Sequence, residues 1–151
     1  MIQLVEITEE NYQTVCGLKI TGEQEGYVAS PVSILARAYA KQNRNARALA
    51  IANDDVIIGV LMVMELFEEP ACYTIEQFLI DHRYQNRGYG KQALQLIMGA
   101  LAAERKYDAV EICVKMADAQ AIKLCDSVGF VDTGYIDPDA PDSYCLRYDF
   151  A

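Results

Sequence analysis

The stretch Gln85-Asn86-Arg87-Gly88-Tyr89-Gly90-Lys91 (QNRGYGK) runs directly into the apolar segment QALQLIMGAL. It holds two glycines, two cations and no acid, within a chain of 151 residues and formal net charge −9. The following segment places Ala93, Leu94, Ile97, Met98 and Leu101 on one stripe, a period near 3.6 that marks a helix packed on one side. A glycine turn feeding a helix N-terminus is an anion site in waiting. Its backbone N–H groups point outward, glycine permits close approach, and the helix dipole adds about half a positive charge. Arg87 and Lys91 add whole charges. The plain alternative, a turn that only caps a helix, leaves the missing acids unexplained.

Two other phosphate-binding patterns fail here. A Walker loop needs Ser or Thr after the lysine and a glycine further upstream, and Gln92 follows Lys91. Gly88-x-Gly90-x-x-Ala93 has the dinucleotide spacing, with Glu111 about twenty residues on. Seven residues separate Ile80 from Gly88, however, and Glu111 falls inside its strand instead of at its end.

Outward from the turn, the remaining elements follow from pattern and punctuation. IQLVEI (2–7) reads as a strand, and Thr8 offers an N-cap to a helix running to about Lys19. Ser30-Pro31 starts a second helix. Two apolar runs flanking NDD form a hairpin, and CYTIEQFLI (72–80) is the next strand. Residues 108–114 make a strand and DAQAIKLCDSV a short helix, with Gly129 at its C-cap. FVDTGYI and YCLRYDF finish as two strands around DPDAPD. The order βααβββαβαββ describes one mixed α/β domain over 1–151.

Bulk composition narrows the chemistry. The length buries a full core, and no apolar run reaches a membrane span. The acidic N-terminus is unlike a secretory leader, so the cytoplasm is the expected location. Five scattered cysteines without C-x-x-C spacing argue against a disulfide framework and a zinc site, and His82 is the single histidine. No metal is expected, and so acidic a surface excludes nucleic acid as a partner. Residues 21–81 hold nine acids against four bases, while 82–91 hold three bases and no acid. One part of the chain suits a cation and the other an anion, although an ordinary acidic surface is the simpler reading of charge alone.

Gln85-Asn86-Arg87-Gly88-Tyr89-Gly90 meets the pattern [QR]-x-x-G-x-[GA], and here the chain resembles the GCN5-related N-acetyltransferases (GNAT). DAQAIKLCDSVGF matches that family's second motif, N-x-x-A-x-x-[LF]-Y-x-x-x-GF, in part. The element order agrees over nearly the whole chain, and LKITGEQEGYVAS is similar to the bacterial spermine/spermidine acetyltransferase branch. The resemblance implies a single, mostly antiparallel sheet of about seven strands with four helices. It further implies that two central parallel strands, 72–80 and 108–114, splay apart. It implies acetyl-CoA as co-substrate, with its pantetheine arm paired to the strand edge near Leu79 and Ile80. The diphosphate then rests on the amides of residues 85–90. A homodimer is an implication of the family alone.

The implied acceptor is a primary amine of a polyamine such as spermidine or spermine. Such an amine has a pKa close to that of lysine, about 10.4, so it arrives as ammonium and must lose a proton before attack. Glu76 is the candidate base, since related polyamine acetyltransferases carry a glutamate at a similar place; a plain exposed strand carboxylate is the alternative. Strand alternation puts Glu76, Phe78 and Ile80 on one face and Gln77 and Leu79 on the other. Gln24, Glu25 and Tyr27 fall in the segment that covers the acceptor site in this family. Asp81, Glu65, Glu68 and Glu69 are candidates for distal ammonium groups. Arg83 and Lys123 are candidates for phosphate contacts, and His82 for solvent or the coenzyme.

The chain departs from the second motif twice. Cys125 stands where the family has a tyrosine acid, and Asp118 where it has an asparagine. Cys125 is either a proton donor or a small core residue, and a covalent acetyl-Cys125 route is the less expected one. Tyr135, Tyr144 and Tyr148 are substitutes for the acid that spacing does not separate. Two other readings stay open: acetylation of another amine (an aminoglycoside, an amino acid or a protein N-terminus), and a non-catalytic acyl-CoA-binding module.

Overall fold

The computed structural model describes residues 1–151. Seven strands form one sheet: β1 (Ile2–Glu6), β2 (Arg47–Asn53), β3 (Val56–Leu66), β4 (Cys72–Ile80), β5 (Ala109–Lys115), β6 (Val131–Asp132) and β7 (Ser143–Asp149). Four helices pack on it: α1 (Tyr12–Cys16), α2 (Pro31–Ala40), α3 (Tyr89–Glu104) and α4 (Ala119–Ser127). The sheet order is β1-β2-β3-β4-β5-β7-β6, and only β4 and β5 run parallel. The expected order of elements and the single mixed sheet are both present. One apolar core lies between the sheet and α3 and includes all five stripe residues, Ala93 to Leu101. A second, including Val15, Leu18, Ile34 and Leu79, lies under α1 and α2 on the opposite face.

Local chemistry explains where the boundaries moved. The first helix does not begin at Thr8. Asn11 turns its side chain back onto the Thr8 N–H at 2.8 Å and onto the Glu6 carbonyl, which holds 8–11 as a turn. Helix α1 is therefore five residues long and does not reach Lys19. Ser30 caps α2 as expected, accepting from the Ser33 N–H. β6 shrinks to two residues because Asp132 accepts from the Gly134 N–H and Gly134 takes φ 77°, turning the chain off the sheet.

The decisive feature is where β4 and β5 part. They share three rungs, Tyr73 with Val110, Thr74 with Glu111 and Ile75 with Ile112, and none beyond. Residues 76–80 and 113–115 diverge into a fork. On the other edge of β4 the ladder to β3 continues to Ile80, but it skips a residue: Gln77 faces Met62 and Ile75 faces Val63. Glu76 is the extra residue, a β-bulge that bends β4 away from β5.

Candidate active site

The fork opens a cleft of about 460 Å³, within the range of small-molecule sites. Its walls are β4 from Ile75 to Ile80, β5 from Ile112 to Lys115, the glycine turn and α4. Asp81's N–H bonds the Ile58 carbonyl at 2.8 Å, which sets the phase of the antiparallel ladder. Leu79 therefore turns its N–H and C=O toward β3, while Phe78 and Ile80 turn theirs toward the gap. The strand edge expected at Leu79 and Ile80 belongs to Phe78 and Ile80 instead. Gly59 permits this approach of β3, since a Cβ there would lie 2.4 Å from the Leu79 carbonyl oxygen.

The turn has the form expected of an anion cradle. Gly88 is the N-cap of α3 at φ 83°, it carries no capping side chain, and no acid stands in the first turn. From Arg87 to Lys91 no backbone N–H donates to an acceptor within the chain. Asn86, Gly88, Gly90 and Lys91 line the cleft, whereas Arg87 and Tyr89 do not. Gln85 anchors the turn from beneath, donating to the Ile80 carbonyl at 2.8 Å. A Cβ on Gly90 would meet only ordinary contacts, so its place rests on the open N–H groups and not on crowding.

Glu76 and Cys113 are the first residues past the last paired rung, and both line the cleft. The bulge reverses the side-chain alternation expected for Glu76. Its carboxylate lies 3.6 Å from Lys41 Nζ, and the neighbouring Gln77 accepts from the Ala29 N–H at 2.9 Å; both partners flank α2. Phe78 and Ile80 pack with the α3 core. Glu76 thus shares the α2 side with Gln77 and not the side of Phe78 and Ile80. A bulge is set by the partner strand, so alternation within one strand does not reveal it.

The segment between α1 and α2 is stitched to the fork. Lys19's N–H donates to Asp81 at 2.9 Å, and His82's N–H donates to the Lys19 carbonyl. Gln24 exchanges hydrogen bonds with Gln85 and also reaches Gln120, which in turn donates to Asn86. Gln24 and Tyr27 line the cleft, while Glu25 does not. Gln120 and Tyr84, on the same walls, carry no signal in the sequence beyond lying next to motif residues.

Several candidate acids are occupied elsewhere. Asp81 is buried and accepts from the Lys19 and Arg83 N–H groups and the Arg83 guanidinium. Burial alone would push its carboxyl up, but the Arg83 and Lys19 bonds outweigh it and hold it down at about 2. Asp81 is therefore a tie and not a ligand for distal ammonium, and it engages Arg83. Glu65 sits outside the cleft and bonds Tyr107 and Lys106 at 2.7 and 2.8 Å. Glu68 and Glu69 are exposed beyond the end of β3, and the His82 side chain is exposed. Asp118 caps α4, accepting from the Ala121 N–H, and Lys123 lines the cleft nearby. Cys125 lines the inner wall of the cleft but is buried against the α3 core; burial first, and then the Asp118 charge, push its thiol up to about 12. Tyr135, Tyr144 and Tyr148 stand off the cleft wall, where the tyrosines present are Tyr27 and Tyr84. 

The model of the Acetyltransferase (GNAT) family matches residues 6–130. This chain belongs to the GNAT acetyltransferase family. It is 25% identical over 142 residues to the spermine/spermidine N(1)-acetyltransferase of Bacillus subtilis (strain 168), covering 90% of this chain and 91% of that one. Its fold superposes on the aminoglycoside acetyltransferase AAC(6')-Ib in complex with coenzyme A, TM-score 0.80 at 13% identity, over 99% and 95% of the two chains. It also superposes on the ribosomal-protein-S18-alanine N-acetyltransferase from Escherichia coli, TM-score 0.69 at 15% identity, over 100% and 95%. As a GNAT enzyme it is an acetyl-CoA-dependent acyltransferase, which removes the non-catalytic binding module from consideration. No helix is long and apolar enough to cross a membrane.

Proposed function

We propose that this acetyltransferase acts on a primary amine of a polyamine, by direct attack within a ternary complex, with Glu76 as the base. The observation that carries the reading is the position of Glu76. It is the bulge residue at the head of the fork, it lines the cleft, and its nearest charged partner is the Lys41 ammonium at 3.6 Å. A carboxylate already placed against one ammonium suits a second, arriving one. The similarity to the Bacillus subtilis enzyme favours a polyamine among amines.

The residues present fit the co-substrate. The open N–H groups from Arg87 to Lys91 and the positive end of α3 would hold a diphosphate, with Lys91 and Lys123 adding charge. The gap-facing N–H and C=O of Phe78 and the Ile80 N–H would pair with a pantetheine arm, the Ile80 carbonyl being held by Gln85. Bound acetyl-CoA supplies the activated acetyl thioester. Glu76 attracts the ammonium and takes its proton, directly or through water. Gln24, through Gln85 and Gln120, holds the acceptor segment over the cleft, and Tyr27 lines it. Cys125 holds its proton far above the thiol reference of about 8.5, so we assign it to packing and not to protonating a departing thiolate.

The test is thiol release from acetyl-CoA across a panel of amines: spermine, spermidine, an aminoglycoside, free amino acids and a peptide N-terminus. The highest kcat/KM is expected for a polyamine, with intersecting initial-velocity lines. A clear preference for another amine overturns the acceptor assignment, and parallel lines overturn direct transfer.

A further inference from the structure

Five cysteines are free, and one pair is in contact: Cys113 and Cys145, with sulfurs 3.4 Å apart. They are partners on adjacent antiparallel strands. The Met116 N–H bonds the Asp142 carbonyl and the Phe150 N–H bonds the Asp108 carbonyl, which fixes the phase of the β5–β7 ladder. Cys113 and Cys145 fall on a non-hydrogen-bonded pair, the type in which Cα atoms approach to about 4.5 Å. That spacing lies inside the range a disulfide bridges, roughly 4.4–6.8 Å, so the sulfurs need only close to about 2.05 Å. Cys113 is exposed, lines the cleft and is the first β5 residue beyond the last rung to β4. Cys145 is buried behind it. An attacking thiol at the head of the slot is thus backed by a resolving thiol one strand away.

We propose that Cys113 and Cys145 form a thiol–disulfide exchange site served by the same slot, which the disulfide of coenzyme A oxidises to a cross-strand disulfide. The proposal rests on the reading of the fork as the coenzyme slot. In the first step the Cys113 sulfur, its proton released, attacks one sulfur of the coenzyme disulfide. A mixed disulfide forms, and one coenzyme thiolate leaves and takes up a proton. In the second step Cys145 gives up its proton and attacks the Cys113 sulfur. The protein disulfide forms, and the second coenzyme leaves as thiol. One disulfide is reduced to two thiols, and two cysteines are oxidised. Although the residue is exposed, its sulfur is partly buried against Cys145; that desolvation, then the Cys145 sulfur, push the Cys113 thiol up to about 12, so a small disulfide meeting it from bulk solvent reacts slowly. A disulfide whose nucleotide end is gripped by the turn is delivered at high effective concentration, and selectivity comes from that delivery.

The experiment exposes the reduced full chain to equal concentrations of coenzyme A disulfide or glutathione disulfide and follows intact mass, peptide linkage and free coenzyme thiol. The Cys113–Cys145 link is expected to form about tenfold or more faster with coenzyme A disulfide, and excess acetyl-CoA is expected to suppress it. Cys145→Ser is expected to accumulate the mixed disulfide on Cys113, and Cys113→Ser to form neither product. Equal rates with both disulfides, or a mixed disulfide mapping to another cysteine, overturn the proposal. Calorimetry with acetyl-CoA on the same preparation separates the two readings. Binding without exchange sinks the exchange site alone, and absence of binding sinks the coenzyme slot together with it.

Discussion

Strand β4 has two ends that obey opposite rules. At its start, Tyr73 to Ile75 are laddered to β5, and the polar groups around them are closed among themselves. The Tyr73 hydroxyl donates to Glu104 at 2.8 Å, Arg47 pairs with Glu104 at 2.9 Å, and Glu65 takes Tyr107 and Lys106. At its end, Phe78 and Ile80 face a gap, and the neighbouring turn leaves its N–H groups without acceptors in the chain. Every helix leaves its first N–H groups open, but here they stand beside a cleft with no capping side chain and no acid in the first turn, the form of an anion site. On the proposed reading one strand serves as a rivet at one end and a docking edge at the other, and the bulge residue Glu76 is where it changes over.

The largest expected effect comes from removing the charge at that changeover. Glu76→Gln is expected to lower kcat/KM for the amine by roughly 10²- to 10⁴-fold, about 3–5 kcal/mol of barrier. Stability should move by less than about 1 kcal/mol, because the Lys41 pair is partly exposed. Acetyl-CoA affinity should stay as in the parent. Steady-state kinetics between pH 7 and 9 check this, and parent-like turnover throughout would remove Glu76 from the role of base.

Next comes a change that presses on the docking edge from behind. Gly59→Val would force a Cβ to within 2.4 Å of the Leu79 carbonyl and 3.0 Å of the Ile80 side chain. Overpacking of this kind costs about 1–3 kcal/mol and should displace the gap-facing groups of β4. Denaturant unfolding and acetyl-CoA titration should therefore both shift. A loss of stability with unchanged coenzyme binding would mean that the edge does not depend on β3.

These two residues also show what the sequence reveals and what it hides. The glycine turn was legible because its chemistry is local: glycines, cations and a helix stripe lie within about five turns of one another. The parting of β4 and β5 entered only through family resemblance. The bulge at Glu76 was invisible, because it depends on β3 and reverses the alternation read from β4 alone. Asp81 and Glu65 look like free acids in the chain. Asp81 has one local partner, Arg83, but Lys19 and the Glu65 partner Tyr107 lie 62 and 42 residues away, and only folding brings them in. Cys113 gave no signal either, since its partner Cys145 is 32 residues distant.

Asp81 supplies the third test, at the docking end. Its folded carboxyl is held at about 2 against a reference of 3.8, so the contribution is present above pH 4 and is lost as pH falls through the folded value. Asp81→Asn should cost about 2 kcal/mol at neutral pH and much less near pH 2. Because Asp81 ties the Lys19 segment to the turn, the amine KM should rise more than kcat falls. Unfolding curves across pH give the first readout, and the KM–kcat split gives the second. A stability difference that does not change with pH would break the assignment.

The smallest effect belongs to the riveted end. Tyr107→Phe keeps the ring and its edge contact with Tyr73, whose centroid lies 5.0 Å away, but removes the hydroxyl bond to Glu65. Burial alone would raise the Glu65 carboxyl, yet its bonds to Lys106 and Tyr107 hold it lowered, so one of those supports is lost. Lys106 remains at 2.8 Å, which limits the cost to a small loss of stability. The loss should shrink as pH falls below the carboxylate range, where the charge that accepts the bond disappears in both states. Acetyl-CoA affinity and kcat/KM should match the parent, because the three rungs from Tyr73 to Ile75 still hold the strands together below the fork. A variant that unfolds more easily yet turns over normally would confirm that the two ends of β4 act independently. A drop in turnover without a drop in stability would show that the fork reads the state of the rivet.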